Sequence, residues 1–170
     1  MEFEKLIQAR YSVRAYKRDP VPDQVLVKVL EAARLAPTAA NRQPFRILVV
    51  HTDGREEELK RIYGRDWFVQ PPLVIALCGL ADKCWVRADG KSFCDIDAAI
   101  VMDHLILAAA DQGLGSCWIG AFDAQAARQI LKLPDSVEPI AFTPLGYPTD
   151  KPGEKKRKPI VKLVQYESWS

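Results

Sequence analysis

The sequence predicts an α+β domain in which helices surround one mostly antiparallel sheet. Apolar residues recur at helical spacing in some segments, and these segments alternate with short runs of strand-forming residues. The segment from Asp95 to Gln112 is apolar nearly all round, as expected of a helix buried on most of its sides. With 170 residues, of which 48% are hydrophobic, the chain is long enough to bury a core as one domain, residues 1–170.

Periodicity and turn residues place the elements of the first half. Phe3, Leu6 and Ile7 share one face of a short amphipathic helix. A second helix starts at Pro22-Asp23, where proline suits the first turn and aspartate the helix dipole, and Pro37 ends it. The elements expected next are a buried strand from Phe45 to His51, a charged surface helix from Arg55 to Ile62 and a buried strand from Leu73 to Gly79.

Glycines, prolines and a capping residue place the elements of the second half. Gly113 and Gly115 end the long helix and allow an immediate turn into a strand. Asp123 caps the helix that follows. The segments expected are a mobile loop from Ala81 to Phe93, a strand at Ser116–Ile119, a helix from Ala124 to Leu131, a strand from Val137 to Gly146 that Pro139 and Pro144 confine in part to an edge or bulge, and a strand-like tail from Ile160 to Tyr166.

Composition argues against several classes of function. A net charge of +2 gives no general case for nucleic-acid binding. The longest apolar stretch is broken by Asp103 and His104, and the N-terminus carries no targeting pattern, so a cytoplasmic protein that spans no membrane is expected.

The cysteines do not suggest a metal site. Their spacing is irregular, and the chain has only two histidines, so a zinc or iron–sulfur site is poorly supported. Cys78 and Cys117 are expected to be buried strand residues. Cys84 and Cys94 flank the polar loop, so exposure of both side chains to solvent is compatible with the sequence.

Two basic segments are candidates for anion binding. Arg10, Ser12 and Arg14 alternate along an extended piece, so all three can face one phosphate. The alternative is a solvated segment in which Arg14 pairs with a carboxylate. The run from Lys155 to Lys158 is either solvated or, if the tail after Pro159 docks, a fixed binding element.

Two further segments could line a planar ring. Thr38, Asn41 and Gln43 could serve the pyrimidine edge of a flavin, although proline, threonine and asparagine are also common in turns. The Gly113–Gly115 pair follows a helix and precedes a strand, the reverse of the dinucleotide-binding order, so turn and close-packing roles are expected. Trp118 is either a core residue or close to a cofactor. The Gly120 N–H lies where it could approach a ring.

No acid–base machinery is apparent. The sequence shows no Ser–His–Asp or Cys–His arrangement, and Asp97 is interpreted as a structural partner for a nearby donor. This absence favours an enzyme whose chemistry resides in a bound cofactor.

Over nearly its whole length, the chain resembles the nitroreductase family of flavin enzymes. The motifs that carry the resemblance are Arg10-Tyr11-Ser12-Val13-Arg14, the stretch from Glu31 to Phe45, the stretch from Asp97 to Gly115, Trp118-Ile119-Gly120, Leu145-Gly146-Tyr147-Pro148 and Arg157-Lys158-Pro159. Their order and spacing together are specific, although each is weak alone. The resemblance departs at two short regions, Tyr63 to Pro72 and Ala81 to Phe93, and this implies a more open substrate pocket.

The resemblance implies a homodimer with FMN at the subunit interface. The tail from Ile160 to Trp169 would add a strand to the partner's sheet, and the nearly all-apolar long helix agrees with burial against a second chain. The Gly120 N–H would lie near flavin N5, and Arg42 is a candidate for the C2 carbonyl. The implied cofactor-binding residues are Arg10, Tyr11, Ser12, Arg14, Lys155 and Arg157 on the phosphate and ribityl side, Pro37, Thr38, Ala39, Asn41 and Gln43 from the other subunit, and Trp118, Ile119 and Gly120 at the ring.

The implied activity is a ping-pong oxidoreductase. NADH or NADPH would reduce the flavin, and a small electron-poor acceptor such as a nitroaromatic or quinone would then reoxidise it. No side chain is assigned a catalytic role, since the chemistry lies on the flavin. The alternatives are a flavin enzyme that dehalogenates substrates or cleaves flavin, with Cys84 to Phe93 as its lid, and a non-enzymatic binding module that uses the basic run.

Overall fold

The computed structural model describes residues 1–169 and has the α+β architecture predicted from the sequence. A four-stranded antiparallel sheet is flanked by helices. The helices are α1 (Phe3–Ala9), α2 (Asp23–Arg34), α3 (Glu56–Lys60), α4 (Cys94–Asp111) and α5 (Ala124–Ile130). The strands are β1 (Phe45–His51), β2 (Leu73–Leu80), β3 (Gly115–Ser116) and β4 (Val137–Gly146).

The strand order β1-β2-β4-β3 makes β2 and β4 the central strands. Pro139 lies beside a register shift between Leu77 and Cys78, so the bulge expected at this proline is found. The prediction of a buried β1 is wrong, since only Val50 of its seven residues is buried. The physical reason is that β1 is an edge strand with β2 on one side only.

The two faces of the sheet carry separate parts of the core. Side chains alternate along β2, so Ile75 packs with α2 and α4 on one face while Val74 packs with Phe68 and Phe142 on the other. All eight residues of β2 are buried, as expected for this strand. The long helix α4 has buried residues from Cys94 through Ala109, which agrees with its nearly all-apolar sequence.

Turns and caps follow the local sequence closely. Asp123 accepts a hydrogen bond from the Ala126 amide at 2.9 Å and so caps α5, as predicted. Gly113 ends α4 with φ of +75°, in the left-handed region that glycine adopts without strain. Gly115 allows a close approach of Val13, because a Cβ at this position would lie 2.7 Å from a Val13 methyl carbon.

The segment from Ala81 to Phe93, expected to be a mobile loop, contains a hydrogen-bonded hairpin. Cys84 and Cys94 form a disulfide, with their Cα atoms 5.2 Å apart. Between them, Val86 pairs with Ser92, and the Phe93 amide donates to the Trp85 carbonyl. Both cysteines of the pair are buried, so the exposure left open for them is not found. Cys78 and Cys117 are free and buried as predicted, but only Cys78 lies in a strand, since Cys117 follows the end of β3.

The tail does not form the predicted strand in this chain. Residues Ile160–Lys162 form a single 3-10 turn, and Tyr166 and Trp169 are exposed. A strand needs a free sheet edge in register with it, and the tail meets none within its own chain. Strand exchange between two copies therefore stays a prediction. No helix within residues 1–169 has the length and apolar character needed to cross a bilayer.

Candidate functional site

A cavity of about 420 Å³ lies between the end of α1 and the segment that follows β4. It brings together six of the predicted cofactor-binding residues, all of them from the phosphate and ribityl side. Its lining holds six cationic and two acidic side chains, so its electrostatic character is positive. The lining residues are Gln8, Arg10, Tyr11, Ser12, Arg14, Asp150, Lys151, Pro152, Gly153, Glu154, Lys155, Lys156 and Arg157.

Pairing with β3 fixes the segment from Arg10 to Arg14. Ser12 forms a parallel bridge with Ser116, and the Val13 amide donates to the Ser116 carbonyl at 3.0 Å. Val13 is buried while Ser12 and Arg14 are exposed, which is the alternation expected of an extended piece. The cavity side of this segment therefore carries the polar residues.

Asp150 ties the two walls of the cavity together. Its carboxylate accepts from the Tyr11 hydroxyl at 3.1 Å and from the Arg14 backbone amide at 2.8 Å. Burial and the Asp150 hydrogen bond raise the pKa of Tyr11, so its hydroxyl remains a donor at neutral pH. Sequence reasoning missed Asp150, since an isolated aspartate before a basic run gives no signal of its partners.

The arginines of the cavity keep their charges available. Within residues 1–169, Arg10, Arg14 and Arg157 form no salt bridge. The structure therefore does not support the alternative in which the Arg14 guanidinium pairs with a carboxylate. Its guanidinium instead lies 5.8 Å from the centre of the Trp67 ring.

Lys155 has a structural role at the end of α1, in addition to its position in the cavity lining. Its ammonium group donates to the carbonyls of Ile7, Gln8 and Arg10 at 2.7, 2.9 and 2.7 Å, which uses all three protons at the end of α1. Desolvation and the nearby charges of Arg10 and Arg157 lower the pKa of Lys155. Lys155 thus anchors the wall that carries Arg10.

Residues 37–43, here called the amide loop, do not line the cavity of their own chain. The backbone turns through left-handed conformations at Ala40, Asn41 and Gln43. The Thr38 hydroxyl accepts from the Gln43 amide at 3.0 Å. Asp97, buried in α4, accepts from the Ala39 amide at 2.8 Å, which confirms the structural role predicted for this aspartate.

Residues 118–120 follow β3, the strand that pairs with the Arg10–Arg14 segment. Ile119 is buried and exchanges two backbone hydrogen bonds with Phe142. Trp118 is 41% exposed, so the interpretation of it as a core residue is wrong; its backbone alternates with Ile119, which takes the inward position. A Cβ at Gly120 would meet nothing within 4 Å. The Gly120 N–H finds no acceptor in the described chain.

No group of three or more histidine, cysteine, aspartate or glutamate side chains within residues 1–169 is arranged to hold a metal ion. The chemically distinctive features are a cationic cavity, an open glycine at position 120 and an amide loop with three residues in left-handed conformations.

Comparison with known proteins supplies a family and close structural relatives. The model of the Nitroreductase family matches residues 7–70 and 65–147. A nitroreductase family protein from Clostridium difficile 630 is 38% identical, with a TM-score of 0.91 over 99% of this chain and 100% of that one. A relative from Methanothermobacter thermautotrophicus, named as a candidate NADH dehydrogenase/NAD(P)H nitroreductase, is 29% identical over 91% of this chain and 82% of its own. An NADH dehydrogenase of Thermus thermophilus is 28% identical, with 91% of each chain covered.

Proposed function

The chain belongs to the nitroreductase family, and from this premise we propose that it is an FMN-dependent NAD(P)H oxidoreductase. It acts as a homodimer, with electron-poor small molecules such as nitroaromatics and quinones as acceptors. The observation that carries the proposal is the cationic cavity, where three arginines without carboxylate partners lie beside an exposed serine. The names of the two relatives, which contain NADH dehydrogenase and in one case NAD(P)H nitroreductase, support NAD(P)H as the electron donor.

The cavity residues fit the phosphate of FMN. A phosphate monoester carries close to two negative charges and three acceptor oxygens, and guanidinium groups bind such oxygens through paired hydrogen bonds. Arg10, Arg14 and Arg157 supply these donors, and the Ser12 hydroxyl adds a neutral one. Asp150 does not compete with the phosphate, because its carboxylate is turned to Tyr11 and the Arg14 amide.

Gly120 and the amide loop are suited to the flavin ring. The open space over Gly120 and its unpartnered N–H favour a planar group that accepts a hydrogen bond. The amide loop does not line the cavity of its own chain, and in the proposed homodimer it is the second copy that brings Thr38 and Asn41 to the ring. When bound, FMN would supply the redox chemistry, namely hydride acceptance from NAD(P)H and electron transfer to the acceptor. The protein holds the phosphate and orients the ring.

Replacing Gly120 with alanine tests the ring position separately from folding. Because the new Cβ meets no atom within 4 Å and Gly120 does not need a positive φ, we expect the free energy of unfolding to change by less than about 0.5 kcal/mol. The methyl group would occupy space proposed for the ring, so FMN affinity and turnover should both fall. Thermal melts and FMN fluorescence titration measure the two effects.

Gly64→Ala is the matched control for that change. A Cβ at Gly64 would approach only the Lys60 carbonyl, at 3.8 Å, and the residue lies outside the proposed site. It should leave both stability and flavin affinity unchanged. If Gly120→Ala behaves like Gly64→Ala in both measurements, the ring does not lie at Gly120.

The visible spectrum of the purified protein tests the function itself. We expect the absorption bands of oxidised flavin, and we expect them to bleach when NADH or NADPH is added without oxygen. Parallel double-reciprocal plots with donor and acceptor would establish the ping-pong order. A protein that shows no flavin bands even after incubation with FMN would overturn the proposal, and bands that persist with both donors would overturn the choice of NAD(P)H.

A further inference from the structure

The amide loop holds an unfavourable backbone conformation. Ala40, Asn41 and Gln43 have φ values of 51°, 52° and 50°, in the left-handed region that non-glycine residues seldom adopt. Asparagine tolerates this region, but Ala40 has no side chain that could compensate. Such conformations persist where the surrounding structure holds them, so the contacts that anchor the loop decide its order.

Two hydrogen bonds that involve side chains tie the amide loop to distant parts of the chain. The Asp97 carboxylate accepts from the Ala39 amide at 2.8 Å, and Asp97 is 2% exposed. The Arg42 guanidinium donates to the Cys84 carbonyl at 3.0 Å. The remaining side-chain hydrogen bonds of Asn41 and Gln43 lie within the loop, so they cannot fix its position on the domain.

The Cys84–Cys94 disulfide joins these two anchors. Cys84 itself supplies the carbonyl that binds Arg42. Cys94 begins α4, and Asp97 lies three residues later in the first turn, where its amide donates to the Phe93 carbonyl. The disulfide therefore holds the base of the hairpin closed and fixes the distance between the two groups that hold the amide loop.

Each sulfur of the pair has a defined neighbour in the fold. The Cys94 sulfur packs against Gly79, where a Cβ would lie 2.6 Å from it. The Cys84 sulfur lies 3.3 Å from the Leu80 carbonyl, which can accept a hydrogen bond from a free thiol once the disulfide opens. Reduction would thus leave the Cys84 thiol with a hydrogen-bond acceptor, while removing the covalent link between the anchors.

We propose that the Cys84–Cys94 pair is a redox-sensitive positioning element for the amide loop. As a disulfide it orders the loop; as two thiols it lets Ala40 and its neighbours relax. The consequence for turnover rests on the proposed function, in which the loop of one copy contacts the flavin of the other. The ordering of the loop does not rest on it.

The redox step is a thiol–disulfide exchange with a dithiol reductant. A thiolate of the reductant attacks one sulfur of the pair and forms a mixed disulfide, and its second thiolate then releases the protein sulfur. Two electrons and two protons pass to Cys84 and Cys94, and the reductant leaves as a cyclic disulfide. Because both sulfurs are buried, the exchange should require prolonged incubation.

Hydrogen exchange on the flavin-free protein tests the ordering of the loop. Thiols are first counted in denaturant: oxidised protein should show two, Cys78 and Cys117, and dithiothreitol-treated protein four. On reduction, exchange at the Ala39 amide should accelerate about ten-fold or more, as local opening becomes easier. Exchange in β2 serves as the internal reference and should not change.

Variants separate positioning from a general loss of structure. Cys84→Ser with Cys94→Ser should match the reduced protein in exchange at Ala39 and should not respond to dithiothreitol. Asp97→Asn keeps an oxygen acceptor and should retain slow exchange in the oxidised state, whereas Asp97→Ala should lose it. In flavin-loaded enzyme, reduction of the pair should lower kcat with the FMN content unchanged, since the phosphate cavity lies elsewhere.

The outcomes test the redox-sensitive element and the proposed function separately. Four thiols in protein kept under air and mild oxidant, or equal exchange at Ala39 in both redox states, would overturn the proposal. Faster exchange on reduction in a protein that binds no flavin would support the positioning element while overturning the proposed function. Faster exchange together with a lower kcat would support both.

Discussion

Replacing Arg10 and Arg157 together with alanine should remove stable FMN binding. Each guanidinium lines the cavity without a carboxylate partner, so each is free to bind phosphate oxygens. A hydrogen bond to a charged group is worth about 1.5–3 kcal/mol, so the double variant should bind FMN roughly 10²–10⁴-fold more weakly. Fluorescence titration of flavin-stripped protein with FMN measures the loss directly.

A matched pair of arginines outside the cavity controls for net charge. Arg18 is highly exposed, and one of its guanidinium nitrogens lies 3.6 Å from a carboxylate oxygen of Glu56. The Arg46 guanidinium donates to the carbonyl of its neighbour Phe45. Arg18→Ala with Arg46→Ala removes the same two charges and should leave FMN affinity almost unchanged. If the two double variants bind FMN equally well, the phosphate does not lie in the cavity.

A comparison with riboflavin isolates the phosphate contribution. Riboflavin has the ring and the ribityl chain of FMN but no phosphate. The Arg10 and Arg157 double variant should therefore lose affinity for FMN and keep whatever affinity the protein has for riboflavin. An equal loss for both ligands would mean that the substitutions disturb the fold near α1, where the Arg10 carbonyl accepts from Lys155.

Local sequence rules predicted much of the fold and part of the candidate site. The alternation at Arg10, Ser12 and Arg14 follows from extended backbone, and the cap at Asp123 follows from the orphan amides of a helix start. The end of α4 at Gly113 could also be predicted, because it depends on the left-handed backbone conformation of this one residue. In each case the interaction that causes the feature lies within a few residues of the sequence pattern that predicts it.

Contacts between distant parts of the chain account for what sequence reasoning missed. Lys155 caps a helix nearly 150 positions earlier, and Asp150 binds Tyr11 across 139 positions. The Cys84–Cys94 pairing and the exposure of Trp118 depend on how a hairpin and a strand pack. Periodicity and spacing along the chain contain no information on such pairings.

Replacing Gly115 with alanine should destabilise the protein and weaken the cavity together. The added Cβ would lie 2.7, 2.9 and 3.0 Å from three Val13 side-chain carbons, and Val13 is 1% exposed. Overpacking of this kind costs about 1–3 kcal/mol. For a domain of this size we expect Tm to fall by roughly 2–12 °C. Thermal melts at matched protein concentration measure the change.

The consequence for the cavity follows from what Val13 does. Its amide donates to the Ser116 carbonyl, and the same pairing holds Ser12 and Arg14 on the cavity side. A shift of Val13 away from Gly115 would stretch this hydrogen bond and misplace the phosphate donors on either side. FMN affinity measured well below the melting temperature should therefore fall in Gly115→Ala, even where the protein is folded.

A double-mutant cycle identifies the cause of the loss. Val13→Ala removes the methyl carbons that the new Cβ would meet, so the double variant should be more stable than the sum of the two single losses predicts. Gly64→Ala, with its nearest contact at 3.8 Å, controls for replacing a glycine as such. Strict additivity would mean that the loss in Gly115→Ala does not come from the contact with the Val13 methyl carbons. The pairing of β3 with the Arg10–Arg14 segment would then not depend on close packing at Gly115.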